Sequence, residues 1–311
     1  MTLPISAVIP TRDRAPILRR TFESLAAQEV LPAELIVVDA STDAESRAVV
    51  ENWASDVAPA CEVVWQRAIE AGAAVQRNQG IAAATQPFIW FFDDDIVFER
   101  ECVTRLWGAL QSDSKLGGVN AMIVNQSYHP PGLVSRLVFG LMHGGTEESF
   151  AGRVIGPAVN LLPEDREDLP TIVPVEWLNT TCTLYRRDAL PNPPFASQFV
   201  GYSPMEDVAL SLVVGRTWKL ANARTARIYH DSQPGAHKSS VAEVARMRVV
   251  NRHYVMTEVL NRQGVGAYAR LALWELFGLV SGAASKEGLK TLPQSVFGML
   301  AGAATIVRKS F

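Results

Sequence analysis

The sequence predicts an α/β fold in which helices cover both faces of a largely parallel sheet, followed by a helical C-terminal region. Over residues 1–125, short apolar runs alternate with stretches of helical periodicity, a pattern typical of βαβ units. Residues 241–311 read as helix almost throughout, and their nine Lys or Arg against four Glu give a net charge of +5. The 311 residues are 48% hydrophobic and 20% charged, which indicates a globular chain long enough to bury a core.

Three strand–helix pairs are predicted in the first part of the chain. The apolar runs Ile5–Ile9, Leu35–Val38 and Phe88–Phe92 are the predicted strands, and helices follow near 16–28, 43–56 and 99–111. In the C-terminal region we predict helices near 239–263, 267–283 and 293–309, separated by Gly264, Gly266, Gly288 and Pro293. Residues 125–175 are rich in Pro and Gly and weakly periodic, so we predict loops that cover a site.

Composition excludes several classes of protein. The net charge is −3 and the sequence pI is about 6.0, so the basic field that would hold a nucleic acid is missing. Cys61, Cys102 and Cys182 are far apart and odd in number, which predicts a reducing compartment. The amino terminus does not resemble a signal peptide, and no apolar run reaches the length of a membrane span.

Acidic residues follow the third predicted strand directly. Asp93, Asp94 and Asp95 repel one another at the mouth of a buried strand unless a cation or hydrogen-bond donors offset their charge. Oxygen ligands of this kind suit Mg²⁺ or Mn²⁺. The alternative is a solvated turn that caps the following helix, and the triplet alone leaves both interpretations open.

Other polar residues follow the remaining strands, where ligands bind in open α/β sheets. Asp39 closes the second strand and suits either a nucleotide contact or a helix cap. Arg14 follows the first strand, and Arg77 begins Arg77-Asn78-Gln79-Gly80; either arginine suits phosphate binding or simple solvation.

Two further candidates lie later in the chain. Glu206-Asp207 precedes a run of helical periodicity, where the helix dipole favours carboxylates and one of them could act as a general base. His230 follows the apolar pair Ile228-Tyr229 and is either a metal ligand or a hydrogen-bonded residue at a strand end.

Taken in order, these segments resemble the family 2 glycosyltransferases of the GT-A fold over residues 4–255. Pro10-Thr11 with Arg14 is similar to the family's first strand and helix start, and Val38-Asp39 to its second strand end. Phe92-Asp93-Asp94-Asp95 resembles the D-x-D motif, and Glu206-Asp207 resembles the E-D motif. His230 matches a histidine that completes the metal site in a subset of the family.

The resemblance implies a role for each matching residue in an inverting glycosyl transfer from a nucleotide-diphosphate sugar. Asp207 is implied as the catalytic base, and Asp93, Asp95 and His230 as ligands of Mn²⁺ or Mg²⁺. The implied donor-binding residues are Pro10, Thr11, Arg14, Asp39, Arg77, Asp93 and Asp94. Contacts to the acceptor or to phosphate are expected from Trp177, Asn179, Glu206, Arg248 and Arg252.

The expected organisation is a catalytic domain over 1–238 and a helical region over 239–311. Within the first, 1–125 is expected to bind the nucleotide-sugar and 126–238 to face the acceptor. The sequence departs from the family after Asp39, where the loop is one residue short, and at Asn179, where many members have glycine.

The basic, apolar C-terminal region indicates where the acceptor resides. Residues 265–311 suit helices that lie on an anionic membrane surface, although packing on the catalytic domain or in a homo-oligomer is left open. We therefore expect a cytoplasmic protein, peripheral at the inner face of the cell membrane, that acts on a saccharide or lipid-linked saccharide in cell-surface polysaccharide or glycolipid synthesis.

Two alternatives remain at this point. A non-catalytic sugar-nucleotide-binding or assembly protein would keep the fold without turnover. A sugar nucleotidyltransferase would share the strand-end carboxylates, but the segment after the first strand lacks the glycines of a phosphate-binding loop. A dehydrogenase is excluded more firmly, because no G-x-G-x-x-G follows a strand.

Overall fold

The computed structural model describes residues 2–57, 60–232 and 240–309. The strands in these ranges are β1 (Thr2–Thr11), β2 (Leu31–Asp39), β3 (Glu62–Arg67), β4 (Phe88–Phe92), β5 (Ile96–Phe98), β6 (Leu116–Ile123), β7 (Val154–Ile155), β8 (Val159–Asn160), β9 (Ile172–Val175), β10 (Cys182–Arg186) and β11 (Lys219–His230). The α-helices are α1 (Ala15–Ala26), α2 (Glu45–Val57), α3 (Ala73–Ala83), α4 (Cys102–Gln111), α5 (Leu133–His143), α6 (Glu206–Val214), α7 (Val241–Tyr254), α8 (Val265–Gly282) and α9 (Lys286–Lys309).

A nine-stranded sheet forms the centre of the molecule. Its strand order is β3-β2-β1-β4-β10-β6-β11-β5, and β9 pairs with β11 beside this path. The first four strands in this order are mutually parallel, as are β6 and β11, whereas β10 runs antiparallel between β4 and β6. The strands β1, β2, β4, β6 and β11 therefore all end at one edge of the sheet, close to the amino end of β10.

Successive side chains of each strand point to opposite faces of the sheet, and an apolar core covers each face. On β1, the side chains of Ile5, Ala7 and Ile9 join one apolar cluster, and Val8 joins the cluster on the opposite face. The first cluster packs against α1, α2 and α4, and the second against α3 and α6. The predicted α/β class with a helical C-terminal region is confirmed.

The prediction for residues 125–175 is wrong in part. This segment contains α5, the short hairpin β7-β8 and the strand β9 on β11. Pro130, Pro131 and Gly132 lie just before α5, and they dilute the periodicity of the apolar run that follows. The composition of the whole window thus concealed a helix of 11 residues.

The predicted C-terminal helices are present, but three of the four residues predicted to separate them lie inside helices. Gly266 lies inside α8, and Gly288 and Pro293 lie inside α9. Helix α7 ends earlier than predicted, and a π-helical turn, Val255–Val259, follows it. The expected domain boundary at 238 falls in 233–239, outside the described residues.

Helix α9 continues through Pro293 while it packs along α7. At Gly298, an added Cβ atom would collide with the backbone oxygen of Ala242, so the two helices touch through their backbones. This close approach explains why a proline does not end the helix here: tertiary packing outweighs local propensity. Within the described ranges, none of the helices is long and apolar enough to cross a bilayer.

Candidate active site

The strand ends bring the polar residues singled out in the sequence to one edge of the sheet. Thr11 and Asp39 are paired in register at the ends of β1 and β2, and Pro10 pairs with Val38. Asp93, Asp94 and Asp95 follow β4 at the same edge, and His230 ends β11. The antiparallel β10 begins there too, and the Asp93 amide donates to the backbone oxygen of Thr181 over 3.1 Å.

Asp94, the middle residue of the triplet, is buried and held from three sides. Its carboxylate accepts hydrogen bonds from the Thr11 hydroxyl at 2.6 Å and from Arg14 at 2.7 Å. The Thr21 hydroxyl on α1 donates to the Asp94 backbone oxygen at 2.7 Å. Burial raises the pKa of Asp94 to about 7, against the opposing charge of Arg14. The two N-terminal candidates Thr11 and Arg14 thus fix the triplet rather than face open solvent.

Asp95 and His230 form the second part of the site. His230 Nε2 lies 3.1 Å from Asp95 Oδ1, and Arg14 donates to Asp95 Oδ2 at 3.0 Å. Burial favours the neutral form of Asp95, but the hydrogen bond and charge of His230, with those of Arg14, outweigh it and lower its pKa. Burial likewise disfavours the charged His230, and the contact with Asp95 outweighs it and raises the His230 pKa.

Two residues on the segment after β6 hold the histidine in place. The Gln126 side-chain amide lies 3.1 Å from His230 Nδ1. Asn125 accepts a hydrogen bond from the His230 amide at 3.0 Å and donates to its backbone oxygen at 2.9 Å. The ring is therefore oriented through both its side chain and its backbone.

A buried arginine links the triplet to α6. Arg77 on α3 donates to Asp93 Oδ1 at 2.6 Å, and its other terminal nitrogen contacts the Glu206 carboxylate. Burial raises the pKa of Glu206 to about 8, although the charge of Arg77 acts in the opposite direction. Arg77 is only 2% exposed, so its charge is compensated by these carboxylates and not by water.

Asp207 lies beside this link, in the first turn of α6. Its Oδ1 accepts a hydrogen bond from the Val208 amide at 2.8 Å. Burial raises the pKa of Asp207 to about 6, while the Val208 hydrogen bond and the charge of Arg77 lower it. A carboxylate with this pKa is ionised at neutral pH and can accept a proton.

Asp39 is fully buried at the end of β2, and both oxygens of its carboxylate accept hydrogen bonds from the protein. One oxygen accepts from the Ser41 amide at 2.8 Å and the other from the Trp65 indole at 3.1 Å. Gln76 on α3 donates to the backbone oxygens of Thr11 and Val38, which ties the ends of β1 and β2 together. Asp39 thus shapes the loop after β2 in this structure.

Trp177 and Asn179, two of the expected acceptor contacts, lie in different surroundings. The Trp177 indole donates to the Leu161 backbone oxygen at 2.8 Å and is packed in the second core cluster. Asn179, just before β10, has its side-chain oxygen buried without a hydrogen-bond partner among the described residues. Of the two, Asn179 is the residue with an unused polar atom at the strand-end edge.

The arginines on α7 do not join the strand-end group. The buried Arg252 donates to the Ala158 backbone oxygen at 2.8 Å and lies 3.1 Å from the Glu275 carboxylate on α8. Burial lowers the pKa of Arg252 to about 10. Arg248, one turn earlier, is exposed. The contacts of Arg252 are those of a residue that fastens α8 to the body of the protein.

The residues that suit a metal ion are the two outer aspartates and the histidine. Asp93, Asp95 and His230 each offer one ligand atom, and these three atoms lie within 4.8 Å of one another. Two carboxylates and one imidazole match the ligand preferences of Mn²⁺ and leave room for phosphate oxygens. This donor set could hold a divalent cation.

Sequence reasoning missed the residues that support these side chains. They are Thr21, Gln76, Asn125 and Gln126. Asn125 and Gln126 follow β6, so the strand-end rule could have found them if β6 had been recognised as a strand. Thr21 and Gln76 lie inside helices and carry no comparable signal.

Comparisons with known proteins identify the family of the chain. The pattern of the family "Glycosyl transferase family 2" matches residues 6–190, more than half of the chain. A curated relative, the uncharacterised glycosyltransferase YibD of Escherichia coli strain K12, is 33% identical over 122 residues. That match spans 39% of this chain and 34% of the relative, about a third of its length.

Solved structures share the fold at low identity. The mannosyltransferase PcManGT from Pyrobaculum calidifontis, in complex with GDP-Man and Mn²⁺, superposes with a TM-score of 0.58 at 16% identity, covering 97% of this chain and 86% of that one. S. aureus TarS 1–349, in complex with UDP-GlcNAc, gives a TM-score of 0.56 at 16% identity, covering 95% and 79%. These similarities confirm the GT-A fold, and the family match over residues 6–190 shows that the chain belongs to glycosyl transferase family 2.

Proposed function

We propose that the protein is an inverting glycosyltransferase that moves a sugar from a nucleoside-diphosphate sugar to a hydroxyl of a saccharide or lipid-linked saccharide. The observation that carries the proposal is the convergence of Asp93, Asp95 and His230 with the start of α6, joined through Arg77. Family membership supports the same reaction class.

The donor is proposed to lie across the strand ends. Thr11, Arg14 and Asp94 form one hydrogen-bonded group that fixes the geometry of the triplet, and Asp39 shapes the neighbouring loop. The two solved structures named above contain GDP-Man and UDP-GlcNAc, so GDP-sugars and UDP-sugars are the donors to test. Pro10, Arg77 and Asp93 complete the proposed donor surface.

Asp207 is proposed as the general base. Its carboxylate accepts the proton of the acceptor hydroxyl while that oxygen forms a bond to the anomeric carbon and the bond from that carbon to the diphosphate oxygen breaks. Attack opposite the leaving group inverts the configuration at the anomeric carbon. The pKa of Asp207, raised by burial to about 6, suits a base that works at neutral pH.

The charge of the leaving group has to be neutralised near Asp93 and Asp95. A divalent cation held by Asp93, Asp95 and His230 supplies that neutralisation when bound. Arg14 keeps both Asp94 and Asp95 oriented, and Gln126 keeps the His230 ring oriented. Asn179 and Glu206 are the proposed acceptor-side contacts at this edge.

Two competing functions predict different outcomes. A non-catalytic sugar-nucleotide-binding protein would keep the fold and the binding group, but it does not require a carboxylate poised as a base at the start of α6. A sugar nucleotidyltransferase would place a phosphate-binding loop after β1, where this chain begins α1 at once with Arg14 as its N-cap. We therefore favour glycosyl transfer.

The place of action is proposed from the C-terminal region. Residues 265–309 carry exposed apolar side chains together with lysines and arginines, which suits contact with anionic lipid at the cytoplasmic face of the cell membrane.

A donor screen tests the proposal. Thermal unfolding is followed with Mn²⁺ and with each of a panel of GDP- and UDP-sugars. A ligand that binds only the folded state raises the unfolding temperature, and we expect at least one donor to do so only when Mn²⁺ is present. Absence of any shift across the panel contradicts the proposal.

A further inference from the structure

A cavity of about 1020 Å³ lies at the end of the sheet away from the acidic group. Its wall includes Leu116 and Lys219, the first residues of β6 and β11, whereas His230 is the last residue of β11. Strand β6 has 8 residues, so at about 3.3 Å per residue its two ends lie roughly 20 Å apart. This space, the β6–β11 cavity, is therefore separate from the strand-end site.

Apolar side chains from several elements form much of the wall of the β6–β11 cavity. They include Met142, Ile155, Val175, Leu212, Trp218 and Leu260. Of these, Val175, Leu212, Trp218 and Leu260 are only partly buried by the rest of the protein. Burying the remaining apolar surface against an apolar group is favourable, so the cavity suits a ligand with an apolar part.

The charged residues in the wall are mainly basic. They are Arg216, Lys219, Arg262 and Arg270, against Asp113 and Glu176, which gives a net charge of +2 with the wall residue His143 neutral. Both acidic residues are already engaged: Asp113 lies 3.0 Å from the Lys219 amine, and Glu176 accepts a hydrogen bond from the Val154 amide at 2.7 Å. The positive charge of the three arginines is thus not compensated by the acidic residues of the wall.

Two of these arginines are held by backbone oxygens and keep hydrogen-bond donors free. Arg216 donates to the Val259 backbone oxygen at 2.7 Å, and Arg262 donates to the Gly156 backbone oxygen. Within the described ranges, the other guanidinium nitrogens of these two residues have no hydrogen-bond partner, and none of the three arginines forms an ion pair. Each guanidinium is therefore oriented and still able to bind an anion.

Arg262 and Arg270 both reach the last turn of α5. Gly156, whose oxygen binds Arg262, lies against this turn, because an added Cβ atom there would be 3.0 Å from the Met142 side chain. Arg270 lies at Gly144, just after the helix, where an added Cβ atom would be 3.9 Å from a guanidinium nitrogen. The carbonyl end of a helix offsets only about half an elementary charge, so positive charge remains at this part of the wall.

We propose that the β6–β11 cavity binds a phosphate monoester with an apolar chain, with the phosphate at Arg262 and Arg270 and the chain against the apolar wall. A phosphate monoester carries about 1.5 to 2 negative charges at neutral pH, which matches the net charge of the wall better than the single charge of a carboxylate. Its oxygens also fit the planar donors of arginine. The site is additional to the proposed site of transfer and does not depend on that reaction.

Isothermal titration of the full chain with octyl phosphate, below its micelle-forming concentration, tests the proposal. Butyl phosphate, inorganic phosphate and octyl glucoside are titrated in parallel, and a chelator is present so that no divalent cation attracts phosphate to the strand-end site. The variants are Arg262→Gln and Arg270→Gln. Arg19→Gln is the matched control, because Arg19 is an exposed arginine on α1 that does not line the cavity.

We expect one octyl phosphate to bind per chain, at least about tenfold more tightly than butyl phosphate, because four more methylene groups leave water. Inorganic phosphate and octyl glucoside should each bind more weakly than octyl phosphate, since each lacks one half of the ligand. Arg262→Gln and Arg270→Gln should each weaken octyl phosphate binding by about tenfold or more, and Arg19→Gln should bind like the wild type. The unfolding temperatures should stay close together because the changed side chains are exposed.

Four results would overturn the proposal. The first is wild-type protein that does not bind octyl phosphate. The second is inorganic phosphate or octyl glucoside that binds as tightly as octyl phosphate, because charge or apolar contact alone would then explain the binding. The third is undiminished binding by Arg262→Gln and Arg270→Gln. The fourth is a dimer in light scattering that Arg262→Gln dissociates and octyl phosphate does not, because a second copy of the chain would then occupy the cavity.

Discussion

Arg77 donates a hydrogen bond to Asp93 over 2.6 Å, and the same guanidinium contacts Glu206, 129 residues further along the chain. Asp93 belongs to the proposed cation site and Glu206 precedes the proposed base, so one buried side chain fixes the two halves of the site relative to each other. The position of Asp207 against the strand ends depends on this link.

Replacing Asp207 removes the proposed base with little change of shape. Asp207→Asn should lower turnover by about 10²-fold or more and leave donor binding nearly unchanged, because only the proton acceptor is lost. Steady-state kinetics and donor titration measure the two effects. Asp168→Asn, which changes an exposed carboxylate paired with Arg166, is the control. Near-normal turnover of Asp207→Asn would remove this residue from the mechanism.

The rate of transfer should depend on pH through Asp207. The base must be ionised, and burial raises its pKa to about 6, so kcat should be half-maximal near pH 6 and fall about tenfold per pH unit below it. At higher pH the carboxylate stays ionised and this dependence disappears. A pH profile of wild type and Asp207→Asn checks the assignment. If kcat of Asp207→Asn still falls at low pH, the fall belongs to another carboxyl group, such as Asp94, whose pKa is raised to about 7.

Arg77→Met should destabilise the fold, because it leaves Asp93 and the buried Glu206 without their cation. Breaking a buried ion pair on one side costs about 3–5 kcal/mol, which chemical denaturation measures as a loss in free energy of unfolding. The double change Arg77→Met with Glu206→Met should recover part of that loss, because it also removes the buried Glu206 carboxyl group that Arg77→Met leaves without its hydrogen-bond donor. A double variant less stable than Arg77→Met would show that the ion pair is not what matters.

Affinity for Mn²⁺ should depend on His230 and on the residue that orients it. Gln126→Ala should weaken Mn²⁺ binding by about tenfold, the usual effect of losing an outer hydrogen bond, and His230→Ala should weaken it further. Isothermal titration with Mn²⁺ gives both values. His253→Ala is the control, because His253 lies on α7, where its Nε2 is 3.2 Å from the Tyr268 hydroxyl on α8. Equal Mn²⁺ affinity in His230→Ala and wild type would exclude His230 as a ligand.

The contact between α7 and α9 can be tested with a single methyl group. Gly298→Ala should lower the free energy of unfolding by about 1–3 kcal/mol, because the added Cβ atom would collide with the Ala242 backbone oxygen. Gly108→Ala is the matched control inside α4, where the methyl group has open space and should stabilise by about 0.5–1 kcal/mol. Thermal denaturation of both variants compares them directly.

The sequence predicted the strand ends well because one rule of open sheets applies to each of them. Asp93 and His230 are 137 residues apart in the chain, yet Asp93, Asp95 and His230 meet because β4 and β11 run in the same direction and end at the same edge of the sheet. The helix α5 was missed because its Pro- and Gly-rich surroundings outweighed its own apolar run.

Pairings between distant side chains were beyond the reach of sequence reasoning. Arg252 was expected near phosphate, yet its guanidinium is buried against Ala158 and Glu275, and only the packing of α7 on α8 decides that. The bond between Arg77 and Glu206 likewise needs the relative placement of α3 and α6, which periodicity does not encode.

The central claim is that Asp207 and the group of Asp93, Asp95 and His230 act as one site on a nucleoside-diphosphate sugar. The most direct measurement is release of nucleoside diphosphate from the donor that binds with Mn²⁺, in the presence of a saccharide acceptor. The account predicts release by the wild type that stops when the metal is chelated and drops about 10²-fold in Asp207→Asn. Release that continues undiminished in chelator, or in Asp207→Asn, would contradict it.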